Sequence, residues 1–199
     1  MLKIFGTWRS RAARTLWAAE ELELKFQLIP VSDTHSEEFC RINPNGRIPV
    51  IDDDGVILFE SLAINLYLAE KYGAAPIWPA SVADHGRCYQ WSFWAATEIE
   101  RDVMVVMWNT ALLPEERRQP EVAAQSQRAL RAPLKCLNEH LRERAHLLGS
   151  EFTIADLNVA EMVSVGDQYG VDLSGLEALK TWLARSVARP SYQRARQYP

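Results

Sequence analysis

The chain has 199 residues, 48% of them hydrophobic and 24% charged, with a formal net charge of −4. That length allows one large or two modest domains with a sizeable core, and the composition excludes a disordered, collagenous or disulfide-scaffold protein. The acidic balance, with a pI near 5.6, lacks the basic excess that tracks a phosphate backbone, so no nucleic-acid partner is expected.

Three cysteines, Cys40, Cys88 and Cys136, are odd in number and far apart, which fits a reducing cytoplasm better than a disulfide framework. The longest apolar run, Val103 to Trp108, is too short for a bilayer, and the opening MLKIFGTWRSR carries no apolar stretch of signal-peptide length. A cytoplasmic protein with no membrane partner is expected.

In chain order, residues 2 to 5 predict a strand and Ala12 to Leu24 a helix. Phe26 to Val31 is a second apolar run, followed by a polar stretch. Ile48 to Ile51 and Val56 to Phe59 flank Asp53, Asp54 and Gly55, the pattern of a hairpin. Ser61 to Tyr72 has helical spacing and stops at Gly73. The order is βαβ, then ββα. The two prolines of AAPIWPAS mark a linker. Beyond it no strand is predicted, and helical patterns run roughly over 82 to 112, 121 to 146, 154 to 168 and 176 to 188. The expected division is an α/β domain over 1–75, a linker over 76–82 and an all-α helical bundle over 83–199.

Three segments carry chemistry. The first is the turn Gly6-Thr7-Trp8-Arg9-Ser10-Arg11 before the first helix; the first fourteen residues hold Lys3, Arg9, Arg11 and Arg14 and no acid. A helix N-terminus with guanidiniums beside it favours an anion, whether phosphate, carboxylate or thiolate. Ser10 also suits a plain helix cap, and the two roles are compatible. The second segment, Asn43-Pro44-Asn45-Gly46-Arg47-Ile48-Pro49-Val50, leads a turn into a strand. A proline there belongs at an edge, a strand start or a bulge. On the residue alone trans is the commoner form, cis being about 5% of X–Pro bonds. The third is Phe59-Glu60-Ser61-Leu62-Ala63-Ile64, where Ser61 either caps a helix or, with the following N–H groups, holds a carboxylate while Glu60 meets an ammonium. An α-amino acid end has both groups.

With these residues in order and spacing, NPNGRIPVI and ESLAI resemble the glutathione-site motifs of the cytosolic glutathione transferase superfamily. Gly149 to Asp156 (GSEFTIAD) resembles its helix-start signature, in which Thr153 and Asp156 have the spacing of a reciprocal cap. ARPSY near the end extends the similarity over nearly the full length. The resemblance implies an α/β thioredoxin-like N-terminal domain plus an all-α C-terminal helical bundle, with glutathione as co-substrate. It implies a cis Ile48-Pro49 bond with the Ile48 backbone on the cysteinyl part of the ligand, and Glu60 and Ser61 on the γ-glutamyl end. The glycyl carboxylate then falls to Arg47, with His35 second.

The family's first-turn proline is absent here. Ser10, supported by Arg11, is therefore inferred as the thiol-activating group, with Thr7, Arg9 and Arg11 as rivals. Glu23 stands where a glycine is common in that turn, a change read as neutral. Trp8, Val105 and Trp108 are the expected lining for a small hydrophobic electrophile, and a homodimer is the expected assembly. Two other readings stay open: a glutathione-dependent isomerase or lyase on the same scaffold, and a non-catalytic glutathione-binding or interaction module. No metal is expected. Cys136 and His140 share a helix face, but no second ligand pair is near in sequence.

Overall fold

The computed structural model describes residues 1–198, which form two compact units. One comprises Met1–Ala80 together with the chain from Ala188 on, the other Ser81–Val187.

In the first unit the elements are β1 (Leu2–Phe5), α1 (Ala12–Glu21), β2 (Phe26–Ile29), α2 (Glu37–Ile42), β3 (Val50–Asp53), β4 (Val56–Phe59) and α3 (Ser61–Tyr72). The sheet order is β2-β1-β3-β4, with β1 parallel to β2 and β3 antiparallel to both β1 and β4. This mixed sheet with its helices is the thioredoxin-like half. Asp54 and Gly55 form the two-residue turn between β3 and β4 with φ of +51° and +95°, the left-handed pair that matches hairpin twist. Strand β3 begins at Val50, two residues later than the apolar run predicts, because Pro49 has no N–H to donate to the ladder. Helix α2 lies in the stretch that reads only as polar. Ser36 caps it by accepting the Phe39 N–H at 3.3 Å, and Glu37 and Glu38 fill its first turn, a start signal present in the sequence.

Helix α1 is buried along its length from Ala12 to Ala19, with Trp17 fully enclosed. The chain from Ala188 on, expected in the helical domain, packs here instead. Its helix α9 is Pro190–Ala195. Arg189 pairs with Glu21, Ser191 Oγ accepts the Trp17 Nε1–H at 3.1 Å, and Tyr198 donates to Glu20 at 2.6 Å. Burial pushes the Glu21 carboxyl up, but the bonds from Arg189 and Ser191 outweigh it and hold the group below the usual range. Pairing between segments this far apart in sequence leaves no periodic signal in either.

Helix α1 also ends earlier than predicted. Glu23 takes φ +53° while the Leu24 N–H reaches the Ala19 carbonyl at 2.9 Å, a left-handed helix stop that favours glycine. Glu23 is therefore not neutral. Glu23→Gly should raise stability by about 1 kcal/mol. An unchanged urea midpoint would refute the strain assigned to this residue.

The second unit is helical. A continuous run from Val82 to Leu112 comprises α4 (Val82–Trp94), a π segment (Ala95–Glu100), α5 (Arg101–Met107) and a second π segment (Trp108–Leu112). Its buried stripe passes through Ala95, Ile99 and Val103 in steps of four, the wider spacing that π turns create. Then follow α6 (Pro120–Leu141), α7 (Ile154–Gln168) and α8 (Glu177–Val187).

Helix α6 stops short of the predicted 146 because the chain turns to serve Asp156. This carboxylate, fully buried at the third position of α7, accepts from Thr153 N at 3.0 Å, Thr153 Oγ1 at 3.1 Å, Leu147 N at 2.8 Å and Trp182 Nε1 at 2.9 Å. Thr153 and Asp156 form the reciprocal capping box. One acid thus closes the start of α7, the 142–149 turn and the face of α8.

Candidate functional site

Strand register gathers the three chemical segments. Phe5 pairs with Val50, Val50 with Phe59, and Phe5 also with Ile29. The residues that follow or precede these, Gly6, Pro49 and Glu60, therefore leave the sheet at one end. Helices α1 and α3 both start there. Ligands of open α/β sheets bind at this kind of edge, outside strand ends and against helix N-termini.

Close packing fixes the first turn. A Cβ on Gly6 would lie 2.5 Å from the Ala12 Cβ, so only glycine lets the turn sit against the start of α1, while the Ile48 side chain packs at ordinary contact distance. Ser10 Oγ accepts the Ala12 N–H at 3.1 Å, and its hydroxyl donates to the Thr7 carbonyl at 2.8 Å. Thr7 Oγ1 in turn accepts the Arg9 N–H at 3.2 Å. Ser10 is thus a cap whose proton rests on a neutral carbonyl. Arg9 lies over the Trp8 ring, 5.3 Å from its centroid, while Arg11 is exposed.

The second segment is organised by Asn43, which the sequence reading did not single out. Only 2% exposed, it donates from Nδ2 to the Arg47 carbonyl at 2.6 Å and accepts the Asn45 N–H at 3.1 Å. An Asn-Pro-Asn-Gly turn whose first amide reaches over its own loop was a readable signal. Gly46, at φ +58°, is pressed on His35; a Cβ there would meet His35 Nδ1 at 2.5 Å. The two cations expected near the glycyl end are therefore neighbours across one turn. The Arg47 side chain is exposed and has no acidic partner among the described residues. The Ile48-Pro49 peptide is cis.

At the third segment Glu60 holds φ +70° and ψ +105° as the residue before α3, an uncommon conformation for a residue with a Cβ. Such strain costs about 1–3 kcal/mol and persists where surrounding structure imposes it, commonly at ligand sites. The Glu60 side chain is exposed, and Ser61 is 5% exposed at the first helical position. The first turn of α3 contains no acid, so its unbonded N–H groups keep their attraction for an anion.

Of the expected electrophile residues, Trp8 is half-buried in the first unit. Val105 and Trp108 stand in the second, Val105 half-buried and Trp108 45% exposed. His140 is engaged with the Leu147 carbonyl at 2.8 Å and packs on Trp91, ring centroids 4.7 Å apart. Among the described residues no group of three or more His, Cys, Asp or Glu could hold a metal ion. The cysteines are free, and burial pushes the Cys88 thiol up to about 11, which suppresses its nucleophilic form. No helix among the described residues is long and apolar enough to cross a membrane.

Comparison with known proteins agrees with this geometry. The chain is 28% identical over 209 residues to the glutathione S-transferase GstB of Escherichia coli (strain K12), covering 100% of this chain and 99% of the relative. A theta class glutathione S-transferase from Xanthomonas axonopodis pv. citri, solved with glutathione bound, superposes with a TM-score of 0.92 at 25% identity over 98% of this chain and 97% of that one. Elongation factor 1-gamma 2 of Oryza sativa subsp. japonica is 31% identical over 160 residues, 76% of this chain but only 37% of the relative. Residues 1–70 match the family model "Glutathione S-transferase, N-terminal domain" and residues 99–190 the model "Glutathione S-transferase, C-terminal domain"; the chain belongs to the glutathione S-transferase family.

Proposed function

We propose that this chain is a glutathione transferase that activates the glutathione thiol for attack on a small hydrophobic electrophile. What supports the reading is the convergence of Gly6, Pro49 and Glu60, with the starts of α1 and α3, on one end of the sheet. The Ile48 backbone would pair with the cysteinyl part, Glu60 and Ser61 would take the γ-glutamyl ammonium and carboxylate, and Arg47 with His35 the glycyl carboxylate. That places the sulfur at the first turn.

A thiol of ordinary pKa ~8.5 is mostly protonated at neutral pH. The Ser10 hydroxyl would exchange the Thr7 carbonyl for the thiolate while its oxygen keeps the Ala12 N–H. A hydrogen bond to a charged acceptor is roughly twice as strong as one between neutral groups, so the exchange favours the thiolate. Arg11 and the N-terminus of α1 add the field. The sulfur then displaces a leaving group from the electrophile, and Trp8 beside that turn is proposed to meet its apolar part.

Ultraviolet titration of glutathione bound to the protein tests the reading. A thiolate band appearing at least one pH unit below that of free glutathione, together with turnover of a chlorinated nitroarene, supports a transferase. Binding without that shift would overturn it in favour of a non-catalytic module. A lowered thiol pKa without turnover of generic electrophiles would point to an isomerase or lyase.

The assembly is proposed to be a two-fold homodimer in the cytoplasm. Edge strand β4 exposes Val56, Ile57 and Phe59, and α4 exposes Val82, Tyr89 and Phe93 along one side. Apolar patches and an open sheet edge of this kind are normally covered, and a closed two-fold contact covers both copies at once. Sedimentation at micromolar concentration should give twice the 22.7 kDa chain mass. A single-chain species would refute the dimer.

A further inference from the structure

Trp8 and Arg9 belong to the same turn between β1 and α1 as Ser10. Arg9 is exposed and Trp8 half-buried, and the Arg9 guanidinium lies over the Trp8 ring, 5.3 Å from its centroid, within cation–π range. The backbone beneath is fixed as well: the Arg9 N–H donates to Thr7 Oγ1 at 3.2 Å, and the Ser10 N–H to the Thr7 carbonyl at 3.2 Å. The cation is held at both ends of its side chain.

Its charge is not answered. Among the described residues the guanidinium makes no ion pair or hydrogen bond, whereas Arg41, Arg87, Arg142, Arg189 and Arg194 each meet a carboxylate. Two acids stand beyond the same end of the sheet. The Asp33 carboxylate accepts the His35 N–H at 2.8 Å, and exposed Glu60 forms no ion pair among the described residues. The other charged groups on this turn and the start of α1, Arg11 and Arg14, are cations, and Lys3 on β1 is paired with Asp52 at 3.1 Å.

We propose that Arg9, carried on Trp8, makes the site select electrophiles that bear a carboxylate over neutral ones. The inference rests on the transferase reading and names the substrate class of that same site. A neutral ring attracts a guanidinium without cancelling its charge and leaves N–H donors for a ligand, two of them in the parallel geometry that a carboxylate accepts. A cation already fixed loses less side-chain freedom when it binds. An apolar group in the same place would strip water from the cation and return no hydrogen bond, so one residue both favours the anion and disfavours the hydrocarbon. The reaction balances without a further reagent: the glutathione thiolate forms a C–S bond at the ring carbon bearing chlorine, chloride leaves with the electron pair of the C–Cl bond, and the carboxylate is unchanged.

Two electrophiles test the proposal: 4-chloro-3,5-dinitrobenzoate and the neutral 1-chloro-2,4-dinitrobenzene, each corrected for its uncatalysed rate with glutathione. Their ratio of kcat/KM, carboxylated over neutral, is the decisive quantity, because a change in thiolate content alters both rates alike and cancels. The ratio should fall about fivefold in Arg9→Gln, equivalent to about 1 kcal/mol. Arg9→Lys should restore part of it, Trp8→Leu should lower it in the same direction, and raising ionic strength should lower the parent's ratio. An unchanged ratio in Arg9→Gln or in Trp8→Leu would overturn the proposal; an equal loss for both electrophiles in Arg9→Gln would make Arg9 a thiol-activating group instead. A second readout is independent of turnover: calorimetric binding of 3,5-dinitrobenzoate against 1,3-dinitrobenzene, with saturating glutathione, to the parent and to Arg9→Gln. A preference for the benzoate that is lost in the variant sustains the selective cation even if neither electrophile turns over, in which case the transferase reading alone fails. Equal binding of the two compounds by the parent would overturn the selectivity and leave that reading intact.

Discussion

Ser10→Ala should lower turnover at pH 7 about five- to tenfold while changing KM for glutathione by less than twofold, the deficit expected from raising the bound thiol pKa by close to one unit. The two ends of the ligand are proposed to rest on Glu60 and Ser61 at one side and Arg47 at the other, so binding survives the loss. What the hydroxyl supplies is a bond to the charged form of sulfur, and its removal raises that pKa. The sign follows. Between the parent's thiol pKa and the variant's, the variant holds less thiolate; above both, solvent deprotonation fills the two equally. The rate deficit should therefore shrink as pH rises and nearly vanish about two units above the variant's pKa. Thr7→Val is the control. In the structure Thr7 Oγ1 accepts the Arg9 N–H, whereas the Ser10 hydroxyl already donates across the turn. If Ser10→Ala keeps the parent's rate and thiol pKa while Thr7→Val or Arg11→Gln does not, the activating role belongs to one of those residues and the family membership is untouched.

How much of this was legible differs by cause. The β3–β4 hairpin and α3 could be read because local chemistry decides them: Asp54-Gly55 suits a left-handed turn, and Ser61 to Tyr72 holds a helical period that ends at Gly73. Helix α2 is equally local, with Ser36 before Glu37 and Glu38, but at six residues it is too short to show a helical period. Other features depend on partners far along the chain. Nothing near Arg189 announces that it pairs with Glu21, so the final segment reads as part of the helical domain although it packs with the first unit. The π turns at 95–100 and 108–112 respace a stripe by single residues, a change selected by packing and not by propensity. At the candidate site the residue types were readable but their roles in the turn were not. Ser10 shows as a possible cap in sequence, yet only the structure gives its proton to Thr7, and only the structure makes Asn43 the brace of the Arg47 loop.

Asp156→Ala should be the most destabilising single change named here, at about 3–5 kcal/mol. The carboxylate is fully buried and serves the N–H groups of Leu147 and Thr153, the Thr153 hydroxyl and the Trp182 indole, with His146 Nδ1 at 3.5 Å. Removing it leaves three buried N–H donors without their acceptor, each worth about 1–3 kcal/mol, and the sum is reduced by whatever water enters the space. Thr153→Ala removes one hydroxyl from the same box and should cost only about 1 kcal/mol. Asp156→Asn should fall between them, since it keeps one carbonyl oxygen but turns an amide NH2 toward a cluster of donors. Urea unfolding measures all three as midpoint shifts at constant slope. The Asp156→Ala protein that remains folded should keep the parent's KM for glutathione, because the acid belongs to the second unit and the proposed glutathione residues to the first. A loss of 1 kcal/mol or less would show that the 142–149 turn and Trp182 do not depend on this carboxylate, and that the box is a local cap and nothing more.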